Sequence, residues 1–363
     1  MPSSPTQLVD RGAVVPGRTP DSSVTVRRSP PRSQAGVSRR AELTRRPLLT
    51  RRSLRYALGL LWLLDGVLQL QPFMFTRGFA RLVIAPTAAG QPLFVAAPVR
   101  WNAHLIGAHP ALFNGAFAGV QLALGIGLLL PRTCRLALVA SIAWAGGVWY
   151  LGEGLGGVAG GHVSGLVGAP GAALLYAVLA LAAWPGRQRQ PLEASPEAAT
   201  RPPRWILKAW AALWLGYAVL SLLPGNGSSS AIEGQLSSSA STVSPWLADL
   251  DHWVADAVHG AGAGSGVLLV AAQLSIGLLA LGSGRLQRAA LWSGMALALA
   301  YWAGGQSFGQ LFSGQATDPS TGPLLVLMGL AGLGAVAGAD YRIPRLHLHR
   351  TPRDATRRRA AMS

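Results

Sequence analysis

The sequence predicts an all-α, polytopic integral membrane protein of about eight transmembrane helices. These form two parallel four-helix repeats, with both termini in the cytoplasm. Three observations predict this. Eight apolar stretches are each long enough to cross a bilayer, the basic residues gather between alternate stretches, and the two halves of the chain match at a nearly constant offset. Half of the 363 residues are hydrophobic and 12% are charged, against about 25% charged in an ordinary soluble domain.

Residues 1–54 are rich in Arg, Ser, Pro and Thr and show no apolar periodicity. Such a segment buries too little apolar surface to offset its ordering entropy, so it reads as a disordered cytoplasmic tail. It contains no apolar core followed by a cleavage site, which argues against a secretory signal. From Arg55 the chain changes character. Apolar stretches occur at 56–73, 112–130, 136–152, 167–184, 205–223, 264–282, 289–305 and 322–338. At about 1.5 Å of rise per residue these lengths approach the roughly 30 Å hydrocarbon core. The stretch 78–98 is also apolar, but Pro86, Pro92 and Pro98 interrupt it, and it reads as an outer loop. Residues 185–204 form a basic, Pro-containing cytoplasmic linker, and 339–363 a basic cytoplasmic tail.

The net charge of +17 raises a nucleic-acid partner, but the distribution of the charge argues against one. With an inside N-terminus, 28 of the 31 basic residues fall on predicted cytoplasmic segments, and only Arg77, Arg81 and Arg100 fall outside. Between Ala209 and Gly284 there is no basic residue, while Glu233, Asp249, Asp251 and Asp256 occupy the long outer loop. The bilayer is the predicted partner, with anionic lipid headgroups at the basic cytoplasmic tails. The location that follows is the plasma membrane. The single cysteine, Cys134, excludes a disulfide within the chain and gives no basis for a Cys-based zinc or iron–sulfur site. Its loop reads as an unremarkable cytoplasmic surface turn.

The halves match residue by residue. Trp62 pairs with Trp214, Pro72 with Pro224, Trp101 with Trp253, Gln121 with Gln273 and Gly125 with Gly277, all 152 apart. At an offset of 153, Arg132 pairs with Arg285, Trp149 with Trp302, Gly156 with Gly309, Gly161 with Gly314 and Pro170 with Pro323. A unit with an even number of crossings repeats in the same orientation, so the repeats 55–184 and 205–338 are parallel rather than inverted. The segment Arg55-Tyr-Ala-Leu-Gly-Leu-Leu-Trp-Leu-Leu-Asp-Gly-Val-Leu-Gln69, then Val120-Gln-Leu-Ala-Leu-Gly-Ile-Gly-Leu-Leu-Leu130 and a basic turn, resembles the DoxX-like family of four-helix membrane proteins. That resemblance implies a redox-associated module, quinone- or thiol-linked, working beside a redox or envelope protein partner. It carries over no catalytic residue.

Polar residues on apolar helices are the candidate site. Asp65 sits in the first helix with Gln69 one turn on, and an ionisable group at that depth costs about 2.5–3.5 kcal/mol on insertion scales. The second repeat has Tyr217 in the place of Asp65. Gln121 and Gln273 suit an interhelical hydrogen bond in each bundle or a ligand contact. Glu153 and Gln306 match at the outer ends of two helices, within Gly-rich segments that predict two related outer vestibules. Gly152 to Gly157 is a formal GxGxxG, but it follows a membrane helix, and a dinucleotide site needs a strand there. Asp249, His252, Asp256 and His259 recur at helical spacing. They read as the polar face of a helix lying on the membrane, with a metal site at His252, Asp256 and His259 as the sharper alternative. The Ser-rich run 228–243 reads as a flexible loop. Three function classes follow: a redox-associated module that takes a quinone, a proton- or substrate-coupled transporter, and a non-catalytic membrane scaffold.

Overall fold

The computed structural model describes residues 49–186, 200–240 and 245–337. The predicted tail up to residue 48, most of the linker (187–199) and the basic C-terminal tail lie outside the described residues. Within them the fold is all-helical, with no strand. Eleven α-helices follow one another: α1 Arg51–Leu68, α2 Leu93–Ala108, α3 Pro110–Leu129, α4 Cys134–Leu151, α5 Ala172–Ala182, α6 Trp205–Leu222, α7 Ser229–Ala240, α8 Pro245–Ala261, α9 Ala263–Ala280, α10 Arg285–Gly304 and α11 Thr321–Val336. The eight predicted apolar stretches fall on α1, α3, α4, α5, α6, α9, α10 and α11. Three of these, α3, α4 and α6, are long and apolar enough to cross a membrane. The end of α8 together with α9 adds a fourth if a pair bent by 102° counts as one span. α1 carries Arg51, Arg52, Arg55 and Asp65, and α5 and α11 are shorter.

The first helix starts earlier than the sequence suggests. Thr50 is its N-cap, and its hydroxyl accepts from the Ser53 backbone N–H at 3.1 Å, so Arg51–Leu54 belong to α1 and not to the tail. The segment 78–98 is also not a loop. It folds into a π-helical turn (Phe79–Ile84), a 3-10 turn (Ala85–Ala88) and α2. Pro86 lies at the start of its turn and Pro92 is the N-cap of α2, positions where a missing N–H costs nothing. Pro98 lies inside α2 and frees the carbonyl of Phe94, and the Tyr150 hydroxyl from α4 donates to that carbonyl at 2.7 Å. The Ser-rich run is likewise helical over Ser229–Ala240. The Ser228 hydroxyl accepts from the Ala231 N–H at 3.1 Å, and Ile232 and Leu236, one turn apart, are buried.

Several helix contacts recur in the two halves. α1 lies against α3 and α6 against α9, each pair meeting at a glycine. A Cβ on Gly125 would lie 2.6 Å from Leu63 Cγ, and one on Gly277 would lie 2.7 Å from Leu215 Cγ. Only glycine admits that approach. After α4 and after α10 the backbone turns through left-handed residues at matched places: Gly154, Leu155, Gly156 and Gly157, then Ser307, Phe308, Gly309 and Gln310. Each turn is held by an indole. Trp149 Nε1 donates to the Pro170 carbonyl at 2.7 Å and Trp302 Nε1 to the Pro319 carbonyl at 2.8 Å. Pro319, and not Pro323, is therefore the counterpart of Pro170, because the second loop is shorter and Pro323 already lies within α11. One buried core joins both halves through Trp62, Tyr176, Trp210, Trp214, Tyr217, Tyr301 and Met328, with α5 against α11. A second core beneath α2 collects Met74, Phe79, Ile84, Val95, Val99 and Ile106.

Candidate functional site

A half-open cavity of about 370 Å³ lies between α1, α3, α4, α5 and the turns around α2. Its walls are aromatic and aliphatic: Trp62, Phe79, Ile84, Ile106, Phe117 and Trp144. Phe117 and Trp144 meet edge to face at 5.6 Å between ring centroids, and Trp62 lies 4.4 Å from Tyr176. Into this apolar space project Asp65, Gln69, Gln121, Glu153, Tyr176, Asn102 and Asp318. Four of the six polar candidates, Asp65, Gln69, Gln121 and Glu153, thus converge on one space, while Gln273 and Gln306 lie on the second half.

Buried polar groups normally find partners, and here several do not. Asp65 Oδ1, Gln69 Oε1, Gln121 Oε1, Glu153 Oε2, Trp144 Nε1 and the Tyr176 hydroxyl are all buried without a hydrogen bond. The Tyr176 hydroxyl lies beside the Asp65 carboxyl, within reach of it. The backbone around these groups is well tied. Asn114, fully buried, donates from Nδ2 to the Gln69 carbonyl at 2.6 Å, where α1 ends. Trp62 Nε1 donates to the Ser141 hydroxyl at 2.8 Å, fixing the indole that forms one wall. Thr87 donates to the Gly152 carbonyl at 2.9 Å and Asn102 Nδ2 to the Leu151 carbonyl at 3.1 Å, closing the end of α4 against the α2 layer.

Glu153 and Gln306 do the same job in the two halves. Glu153 Oε1 accepts from the Ala173 N–H at 3.0 Å, at the start of α5. Gln306 Oε1 accepts from the Gly322 N–H at 3.3 Å, at the start of α11, and also from the Ser320 and Thr321 hydroxyls at 2.8 and 3.1 Å. Each binds an orphan N–H of the following helix. They differ in what can titrate. Burial first, then the neighbouring Asp318, pushes the Glu153 carboxyl up to about 8, although the Ala173 N–H pulls the other way. Asp318 is also raised by burial, opposed by hydrogen bonds from Thr317 and from the Ser320 N–H. No Lys, Arg or His lines the cavity among the described residues, so none of its carboxyls meets a cation there.

The second half carries bulkier side chains at two of the matching positions. Tyr217 stands where the first half has Asp65, and Tyr301 where it has Val148, and both tyrosines are buried against Trp214. Gln273 is fully engaged. Its Nε2 donates to the Tyr301 hydroxyl at 2.8 Å, and its Oε1 accepts from Ser221 at 3.1 Å. The matched positions therefore differ inside: Asp65 and Val148 line the cavity, while Tyr217 and Tyr301 pack against Trp214. Asp318 belongs by sequence to the second half yet lines the first half's cavity. Gln71 Nε2 joins the same loop by donating to the Ala316 carbonyl at 3.1 Å.

Elsewhere the candidates do not converge. His252, Asp256 and His259 are exposed on α8, and His259 Nδ1 lies 3.1 Å from Glu233 Oε2 of α7. Among the described residues no three His, Cys, Asp or Glu side chains are grouped to hold a metal ion. The inward face of α8 is Val254, Ala255 and Val258, whereas Trp253 faces outward beside the polar stripe. Cys134 is buried (9% exposed) rather than on the surface, its thiol 3.2 Å from the Pro131 carbonyl. It sits at the far end of α4 from the cavity. Compared with protein-family models, curated proteins and solved structures, the chain matches none.

Proposed function

We propose that this chain is an eight-crossing membrane protein of the plasma membrane, both termini cytoplasmic, derived from a duplicated four-helix unit of DoxX-like type. Its first unit holds a small lipophilic ligand of the quinone class, and its second unit has become a packed support. The observation that carries this reading is the aromatic-walled cavity to which Asp65, Gln69, Gln121 and Glu153 each bring one buried oxygen without a hydrogen bond. Three further features support the membrane placement. Three helices are long and apolar enough to span. Large apolar side chains face outward on helices of both halves, among them Leu60, Leu136, Val219, Val267 and Trp292. Large apolar patches on an exterior mark partner or membrane contact. The third is the basic-residue distribution already described.

A flat ring with two carbonyl oxygens fits the cavity's chemistry. The rings of Trp62, Phe117 and Trp144 offer faces and edges for stacking. Protonated Glu153 and the Trp144 indole offer donors to carbonyls, and both have an atom that otherwise stays unpaired at a cost of about 1–3 kcal/mol. A bound quinone would supply two-electron redox chemistry, and the carboxyls would hold protons next to it. The thiol-linked alternative is weaker, because the single thiol lies at the opposite end of α4. Organic extraction of protein purified in mild detergent tests the proposal. About one quinone per chain is expected from the wild type and much less from Asp65→Ala; equal content in the two would remove Asp65 from the site.

A second reading, proton-coupled transport, is favoured by one observation. Asp65, Glu153 and Asp318 share a cavity that contains no basic partner, an arrangement suited to carrying protons. Reconstituted vesicles that take up protons in an Asp65-dependent way, with no quinone in the preparation, would favour it over the redox reading.

A further inference from the structure

Three arginines, Arg77, Arg81 and Arg100, are the exceptions to the otherwise one-sided charge pattern, and the fold brings all three together. Arg77 and Arg81 are one helical turn apart at and within the π-helical turn, and Arg100 and His104 are one turn apart on α2. The two elements pack together through Phe79, Ala80, Ile84, Val95, Val99 and Ala103. The four side chains therefore line one groove of about 410 Å³, whose floor is Ala80, Ala85, Ala103, Gly107 and Ala108. No Asp or Glu lines it. Among the described residues none of the four basic side chains has a hydrogen-bond or ion-pair partner.

We infer that this groove is a binding site for a phosphate-bearing anion, presented either by an anionic phospholipid headgroup or by a free phosphate. Like charges held this close repel one another, and a bound anion relieves that repulsion. A guanidinium pairs phosphate oxygens through two parallel N–H bonds, and several arginines around one small-residue floor let a tetrahedral anion approach the backbone closely. The surroundings suit a headgroup level. Leu82 follows Arg81 and Trp101 follows Arg100, both exposed, and exposed Trp is typical of membrane interfaces. The groove lies at the end of α3 that begins with Pro110, whereas the basic turn Arg132 and Arg135 follows the other end, about 30 Å away for a helix of 20 residues.

The test uses the full chain in a neutral detergent, with the unfolding temperature read by tryptophan fluorescence. The additions are phosphatidylglycerol, phosphatidylcholine and inorganic phosphate. Phosphatidylglycerol should raise the unfolding temperature of the wild type and of R132Q/R135Q, with phosphatidylcholine without effect. R77Q/R81Q/R100Q should lose the response, and each single substitution should weaken binding roughly tenfold. Because all three arginines are exposed, the single variants R81Q and R100Q give the same answer if the triple variant cannot be purified. A rise with inorganic phosphate that phosphatidylglycerol does not exceed assigns the site to a free phosphate ester; a rise with the lipid alone assigns it to a headgroup. An R77Q/R81Q/R100Q protein that responds like the wild type, or an R132Q/R135Q protein that loses as much, would overturn the inference.

Discussion

Replacing Glu153 with glutamine should flatten the pH dependence of this protein's stability. The carboxyl is shifted upward by burial and by Asp318, to about 8 from an ordinary 4.5. An acid whose folded value lies above its unfolded value holds its proton more tightly when folded. Its stabilisation is complete below pH 4.5, declines between about 4.5 and 8, and is gone above that range. Within the window the slope is about 1.4 kcal/mol per pH unit, so the whole decline is on the order of 3–5 kcal/mol. The substitution should be tolerated, because Gln306 already occupies the matching place and accepts from Gly322 as Glu153 accepts from Ala173. The assay is thermal unfolding of the detergent-purified protein at pH 5, 7 and 9. The wild type should lose stability from pH 5 to pH 9, and E153Q should lose distinctly less, keeping only what the other cavity carboxyls contribute. Parallel curves for the two proteins would refute the assignment of a buried, proton-holding Glu153.

Other consequences concern packing and the difference between the halves. Gly125→Ala should destabilise by about 1–3 kcal/mol, since the new methyl must displace Leu63 between α1 and α3, and thermal unfolding reads this directly. Gln273→Leu should cost about 1–3 kcal/mol by orphaning Tyr301 and Ser221, whereas Gln121→Leu should cost little, because its Oε1 has no partner to lose. Equal losses from the two glutamines would argue against an open first half. Tyr150→Phe should leave the Phe94 carbonyl unpaired beside Pro98 and destabilise by about 1–2 kcal/mol, with faster hydrogen exchange across α2.

The helices at the eight predicted apolar stretches were legible in the sequence because long apolar runs leave little alternative to helix. The elements between them were harder to read. Proline counting predicted a loop over 78–98, since the hydroxyl that repairs the helix at Pro98 comes from Tyr150, distant in sequence. The Ser-rich helix carries only Ile232 and Leu236 as an apolar signal, too little to outweigh its composition. The cavity was legible in part. Asp65, Gln69, Gln121 and Glu153 stood out as polar residues in or beside apolar helices. Tyr176 and Trp144 looked like ordinary helix aromatics, and Asp318 looked like a turn residue of the other half. Matching by identity also chose the wrong proline, because Pro323 resembles Pro170 in letter but Pro319 matches it in contact.

On the proposed reading, the first half keeps a ligand space at positions where the second half carries bulkier side chains. Val148 lines that space, and its counterpart in the second half is the buried Tyr301. The most direct measurement is calorimetric titration of a short-chain benzoquinone into the wild type and into Val148→Tyr. Saturable binding near one ligand per chain in the wild type, abolished in a Val148→Tyr protein that still unfolds cooperatively, is the predicted result. Undiminished binding by the filled variant would place the ligand elsewhere and contradict the account.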